Sequence, residues 1–233
     1  MKVVVTGGTK GIGRAIAETF AGQGHDVAVC ARNAGELQAM RKDFWTRFPA
    51  SEILVLRADM SKTKDVIKFA EHIQKSWPSI DILVNNAGVF IPGAISSEPE
   101  GALESMIETN LYSAYHMTRA LLPGMVEQGK GHIFNMCSVA SMIAYPNGGP
   151  YSISKFALLG FSKVLREELK GKGIKVTAVL PGATWSNSWA GVDLPESRLM
   201  QANDIALAIL SATNMSPAAV VEEIVIRPQL GDL

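Results

Sequence analysis

Met1-Lys-Val-Val-Val5 runs directly into Thr6-Gly7-Gly8-Thr9-Lys10-Gly11-Ile12-Gly13, and Arg14-Ala-Ile-Ala-Glu18-Thr-Phe20 follows. The first piece is a short β-branched strand. The last is an amphipathic helix with Ala15, Ile16, Ala17 and Phe20 available for packing. Glycines between a strand and a helix permit a tight turn, a close backbone approach and bare N–H groups at a helix N-terminus. Such a loop is an anion site suited to a pyrophosphate. Gly7, Gly11 and Gly13 are spaced Gly-x-x-x-Gly-x-Gly, unlike the commonest dinucleotide fingerprint, and Thr9, Lys10 and Ile12 stand between them.

Outward from this stretch, apolar strands and amphipathic helices alternate. Strands are predicted at Lys2–Val5, Val27–Ala31, Ile53–Arg57, Ile82–Val84, His132–Cys137, Lys175–Leu180 and Glu223–Ile226. Helices are predicted near 13–23, 34–47, 62–76, 101–128, 151–171 and 202–212. Strict alternation implies an α/β fold: a single Rossmann-type, doubly wound domain over residues 1–233, with a seven-stranded parallel sheet flanked by helices on both faces. Ligands then bind at the carboxyl ends of the strands. The irregular stretch at about 183–199, rich in Trp, Ser, Pro and Gly, is expected to be a substrate lid that includes Trp185, Trp189 and Leu194.

Tyr151-Ser-Ile-Ser-Lys155 lies at the start of a predicted helix, with Ser138 upstream. A phenol and an ammonium four residues apart share a helix face. A free phenol has a pKa near ~10 and is a poor acid or base at neutral pH. A fixed cation beside it favours the phenolate and draws its pKa toward the working range. A Ser138 hydroxyl can hold a carbonyl against that phenol.

Together these residues resemble those of the short-chain dehydrogenases/reductases of the common type. The resemblance rests on Thr6-Gly7-x-x-x-Gly11-x-Gly13, Asp59, Asn85-Asn86-Ala87-Gly88, Asn110, Ser138, Tyr151, Lys155 and Pro181-Gly182, all in the family's order. It implies an NADP(H)-dependent enzyme that reduces a ketone or 3-oxoacyl carbonyl to an alcohol, with Tyr151 as general acid. Lys155 would lower the Tyr151 pKa and hold the nicotinamide ribose. Asn110 would accompany a local helix distortion and hold a water on the proton path. Asp59 and the Met60 backbone would meet adenine; Asn86, Ala87 and Gly88 would lie against the adenosine ribose. Pro181, Gly182 and Thr184 would turn the chain under the nicotinamide, and Ser186 would contact phosphate.

Cofactor preference is legible at the second strand. An NAD-preferring fold places an acid at that strand's end to accept from the ribose 2′-hydroxyl. Here Ala31 stands there and Arg32 follows. A guanidinium pairs with a 2′-phosphate through forked bonds, and Lys10 would add a second charge. Ile107-Glu-Thr-Asn-Leu111 and Gly160-Phe-Ser-Lys-Val164 are similar to 3-oxoacyl-carrier-protein reductases. On that reading an acyl thioester is a candidate substrate, and Lys130 and Lys172 form a basic rim for an acidic carrier. Sepiapterin-type, sugar and other ketone reductases fit as well. The reading of another class is an NADPH-binding regulatory or scaffold protein.

The chain carries 22 basic and 22 acidic side chains and is 47% hydrophobic, so neither nucleic acid nor an anionic membrane is expected as a partner. No apolar run reaches the ~20 residues of a membrane span. Cys30 and Cys137 are expected as free thiols in a cytoplasmic protein, and no metal is expected. Nothing resembles a signal peptide, since the first strand begins at residue 2. The resemblance implies a homodimer or homotetramer, paired through the helices at 101–128 and 151–171.

Overall fold

The computed structural model describes residues 1–185 and 195–231. Parallel strands β1 (Lys2–Thr6), β2 (Asp26–Ala31), β3 (Ile53–Arg57), β4 (Ile82–Asn85), β5 (Gly131–Met136), β6 (Ile174–Pro181) and β7 (Glu223–Ile226) form one seven-stranded sheet. Their order is β3-β2-β1-β4-β5-β6-β7. The chain winds one way from β1 to β3 and the other way from β4 to β7. The reversal between β1 and β4 opens a crevice at the strands' carboxyl ends.

Period-two alternation on a two-sided sheet explains the sequence of β1. Val3 and Val5 pack on one face with Ile16, Phe20 and Phe44; Val4 packs on the other with Phe69, Ile73 and Met117. Helices α1 (Gly11–Gly22), α2 (Ala34–Arg47) and α7 (Ala202–Thr213) cover the first face. Helices α3 (Thr63–Ser76), α5 (Ser113–Gln128) and α6 (Gly149–Leu169) cover the second. The long helix predicted at 101–128 is not uniform. It begins as α4 (Ala102–Ile107) and widens into a π-helical segment at Glu108–Tyr112 before α5. There the Ser113 N–H reaches back to Glu108 O. Such one-turn bulges recur at functional sites, and this one contains Asn110.

Buried polar ties fix the frame. Asn85 and Asn135 are register partners on β4 and β5. Asn85 Nδ2 donates to Asn135 Oδ1 (2.8 Å) and to Thr118 Oγ1 on α5 (3.0 Å). Asn135 Nδ2 donates to Ser162 Oγ on α6 (2.8 Å). The helix carrying Tyr151 is thereby pinned to the strand that leads to Ser138.

His132, on β5, gives a pH signature. The Thr177 hydroxyl donates to Val221 O, so it accepts from His132 Nε2 at 2.7 Å, and that ring is neutral with its proton on Nε2. Burial, with Lys175 nearby, pushes the imidazole down to about 3 from 6.5. Between those values the unfolded chain binds a proton that the folded chain does not. Stability is therefore lost as pH falls from about 6.5 toward 3, at up to about 1.4 kcal/mol per pH unit from this group. In urea titrations across that range, His132→Asn should flatten the slope; an unchanged slope would remove His132 as the cause.

Candidate active site

The carboxyl ends of β1 and β4 are laced together. Thr6 Oγ1 accepts from the Asn86 and Ala87 backbone N–H groups (3.0 Å each). Asn86 Nδ2 donates to Thr6 O (2.9 Å) and Gly7 O (3.1 Å). Gly7 has φ +67°, and a Cβ there would lie 3.1 Å from Ala87 Cα. At Gly13 a Cβ would meet Gly7 O at 2.5 Å. Helix α1 opens without a side-chain cap or an acid in its first turn. Its leading N–H groups are thus offered to an anion, as a pyrophosphate requires.

A cavity of about 330 Å³ continues from this loop. It is lined by Gly7, Thr9, Lys10, Arg32, Asp59, Met60, Ala87 and Gly88, which were expected to bind cofactor, and also by Asn33, Glu36 and Thr109. The shape and the donor set fit a dinucleotide's adenosine half: glycines at one end, an acid and cations at the other. Asp59 Oδ1 accepts from the Ser61 N–H and hydroxyl (3.0 and 2.9 Å). Ser61 is thus a donor to Asp59, and the cap position of the following helix is Lys62. Met60 is buried, with Cys30 Sγ 3.4 Å from its sulfur. Burial pushes the Cys30 thiol up to about 12 and the Cys137 thiol up to about 11, so both are inert.

Ser138 and Tyr151 stand beyond that cavity, past the end of β5. Ser138 begins a one-turn 3₁₀ helix (Val139–Ser141); its Oγ accepts from the Ala140 N–H (3.1 Å), and its own N–H donates to Ser141 Oγ (3.1 Å). The Ser138 hydroxyl also hydrogen-bonds the Tyr151 phenol, which places both groups where one incoming oxygen could meet them. Tyr151 and Lys155 lie on one face of α6, with Lys155 Nζ 5.6 Å from the phenol ring centre. The lysine is buried and donates to Met136 O at 2.7 Å. Asn110 is fully engaged: its Oδ1 accepts from Val89 N (2.7 Å), while its Nδ2 donates to Val89 O (3.0 Å) and Ser154 Oγ (2.9 Å). A Cβ on Gly88 would lie 3.2 Å from Asn110 Oδ1 and 3.6 Å from Lys155 Nζ, so both flank Gly88.

Electrostatics here differ from the expectation that Lys155 draws the phenol down. In the resting site burial is the largest influence on Tyr151 and pushes it up, opposed by its hydrogen bond with Ser138. The physical reason is burial, which disfavours the phenolate, while the Lys155 ammonium donates to Met136 O. Lys155 itself is pushed down to about 8 by its own burial.

Pro181 ends β6, the Gly182 N–H bonds Ile226 O (2.8 Å), and Thr184 Oγ1 donates to Gly182 O (3.0 Å). Ser186, Trp189 and Leu194 lie outside the described residues. Sequence reasoning missed Glu36 and Phe90. The Phe90 ring packs edge-on against Tyr151 at 5.0 Å, and nothing in its local sequence marks it. Glu36 carried a signal: Asn33-Ala-Gly-Glu36 is a capping-box pattern, which turns the acid back toward the helix start. The basic rim expected of Lys130 and Lys172 is corrected. These residues immediately precede β5 and β6, at the amino ends of the strands and opposite Tyr151.

A doubly wound parallel sheet with a glycine loop at its switch point and a Tyr-x-x-x-Lys helix beside it defines a Rossmann-type oxidoreductase. Residues 1–196 match the family model described as short chain dehydrogenase, and the chain belongs to that family. It is 34% identical over 239 residues to a sepiapterin reductase of Chlorobaculum tepidum, covering 99% of this chain and 97% of that protein. It is 34% identical over 197 residues to the NADP-dependent 3-hydroxy acid dehydrogenase YdfG of Salmonella typhimurium, covering 82% of this chain and 76% of that one. Among solved structures, a metagenomic short-chain oxidoreductase in complex with NADP superposes with a TM-score of 0.85 at 28% identity, covering 98% of this chain and 97% of that chain. Serine dehydrogenase from Escherichia coli superposes with a TM-score of 0.84 at 30% identity, covering 97% and 96% respectively.

Proposed function

We propose that this protein is an NADP(H)-dependent carbonyl reductase with Tyr151 as its proton donor. The observation that carries the reading is the convergence of Ser138, Tyr151 and Lys155 next to a cavity whose lining fits a dinucleotide's adenosine half. The glycine loop and the α1 N-terminus would hold the pyrophosphate, Arg32 and Lys10 the 2′-phosphate, Asp59 the adenine, and Thr184 the nicotinamide end. The bound dinucleotide supplies the hydride. Ser138 donates to the substrate oxygen and orients it. Tyr151 holds its proton at neutral pH, because burial keeps the phenol protonated, and gives it up as negative charge grows on that oxygen. Asn110 positions the chain around Gly88 and ties it to α6, where Lys155 sits.

The mouth of the site supports an apolar or aromatic ketone. Phe90, Ile95, Met142, Ile143 and Tyr145 are all exposed around it. Two walls bearing these residues are joined where the Gly93 N–H donates to Asn147 O (2.9 Å). Aromatic contacts of this kind contribute about 0.5–1.5 kcal/mol each, so an aryl ketone should exceed a ketohexose by about tenfold in kcat/KM. Absorbance-monitored NADPH oxidation against a carbonyl panel, with a 3-oxoacyl thioester included, tests both statements. Turnover of the sugar alone would reverse the specificity reading. Absence of NADPH oxidation with every carbonyl of the panel, under conditions where the nucleotide binds, would sink the reductase. The exposed Tyr112, Tyr115, Ile153, Phe156 and Val164 on the π segment, α5 and α6 support pairing of two copies through these helices.

A further inference from the structure

Glu36 lies four residues beyond Arg32, in the first turn of α2, and returns to the adenosine end of the cavity. Three donors from three different residues converge on its carboxylate: Lys10 Nζ at 2.7 Å, Thr9 Oγ1 at 3.2 Å and Asn33 Nδ2 at 3.2 Å. Asn33 in turn accepts from the Glu36 backbone N–H at 3.2 Å, which fixes the start of the helix. Lys10, expected to add a second charge beside Arg32 for a 2′-phosphate, thus already pairs with an internal anion. Arg32, by contrast, is exposed and near enough to Asp59 to lower its carboxyl pKa.

From this arrangement we propose that Glu36 is a specificity-determining residue, a resident carboxylate that occupies the donors of the 2′-phosphate site and so restrains the preference for NADPH over NADH. The inference rests on the dinucleotide reading above. A 2′-phosphate must take Lys10, Thr9 and Asn33 from Glu36 and then coexist with the displaced carboxylate. Like charges within a few ångströms in partly solvated surroundings repel, and the repulsion is screened by salt. A ribose 2′-hydroxyl meets no such penalty and finds in Glu36 an acceptor, the part an acid at the second strand's end plays elsewhere. Glu36 thereby supplies what Ala31 lacks, from the next helix turn.

Calorimetric binding of 2′,5′-ADP and 5′-AMP to the whole protein separates these effects from catalysis. Glu36→Gln keeps the side chain's shape and leaves the Asn33 cap in place. It should tighten 2′,5′-ADP by about three- to tenfold and leave 5′-AMP within twofold, with the gain shrinking in ~1 M salt. Because the carboxylate acts through Lys10, the gain should largely vanish in a Lys10→Met background. NADH should bind the Gln variant more weakly than the wild type. Unchanged or weakened 2′,5′-ADP binding in Glu36→Gln, with the wild type binding normally, would overturn the proposal. Failure of the wild type to bind either nucleotide would instead overturn the dinucleotide reading itself.

Discussion

Tyr151→Phe is expected to lower carbonyl turnover by ~10²- to 10⁴-fold, the usual worth of a positioned general acid, while NADPH affinity stays within about threefold. The substitution removes one hydroxyl and keeps the ring that packs against Phe90. A fold or cofactor defect is therefore an unsuitable explanation for the loss, and a thermal melt checks this directly. Burial pushes the phenol above its ordinary pKa, which holds the proton in place until the substrate oxygen becomes basic. As the proton leaves, a phenolate forms 5.6 Å (ring centre to Nζ) from a buried ammonium, and the pair is stabilised in a low-dielectric site. Lys155 is a base whose pKa lies near 8, so it is charged below that value and neutral above it. The reductive rate should accordingly fall as pH rises through about 8, and the same limb should be missing in Lys155→Met. Wild-type turnover in the Phe variant would remove Tyr151 from the chemistry.

Gly13→Ala should be the most damaging single methyl in the chain's first half. The added carbon would stand 2.5 Å from Gly7 O, 2.4 Å from Asn86 Nδ2 and 3.1 Å from Gly8 Cα. Two of these are backbone atoms of the phosphate loop, so relief requires the loop and α1 to separate. Overpacking of this kind costs about 1–3 kcal/mol, or roughly 2–4 °C of Tm per kcal/mol at this size. The larger effect is on the ligand. Displaced N–H groups no longer converge on a pyrophosphate, and NADPH affinity should drop by about 100-fold or more. Equal nucleotide affinity in Gly13→Ala and wild type would show that the loop does not bind phosphate.

Much of this protein was legible because its decisive signals are local. A β-branched strand, a glycine turn and an amphipathic helix are neighbours in the chain, and the Tyr-x-x-x-Lys pair needs only the helix period to share a face. The alternation of strands and helices likewise required a parallel, two-sided sheet, since the strands other than the edge strand β7 are apolar on both faces. Strand ends differed from expectation by a residue or two, as at Thr6, Asn85 and Met136, where hydrogen-bond pairing rather than side-chain type sets the limit.

Tertiary structure decided everything that depends on distant segments meeting. The helix distortion that the resemblance implied at Asn110 is a π-helical turn, and its partners Val89 and Ser154, which take up that side chain, come from distant segments. Lys130 and Lys172 were placed at the far end of the sheet by the direction of β5 and β6, which charge alone does not encode. Lys10 was expected to be available for phosphate until α2 brought Glu36 against it. Lys155 was expected to face the phenol, whereas Met136 O takes its ammonium. The elements, their parallel arrangement and the residue types of the site follow from local pattern, because hydrophobic period and glycine spacing act over a few residues. Which charges neutralise one another emerges on folding, because Coulomb energies and burial depend on distances across the sheet that no local pattern records.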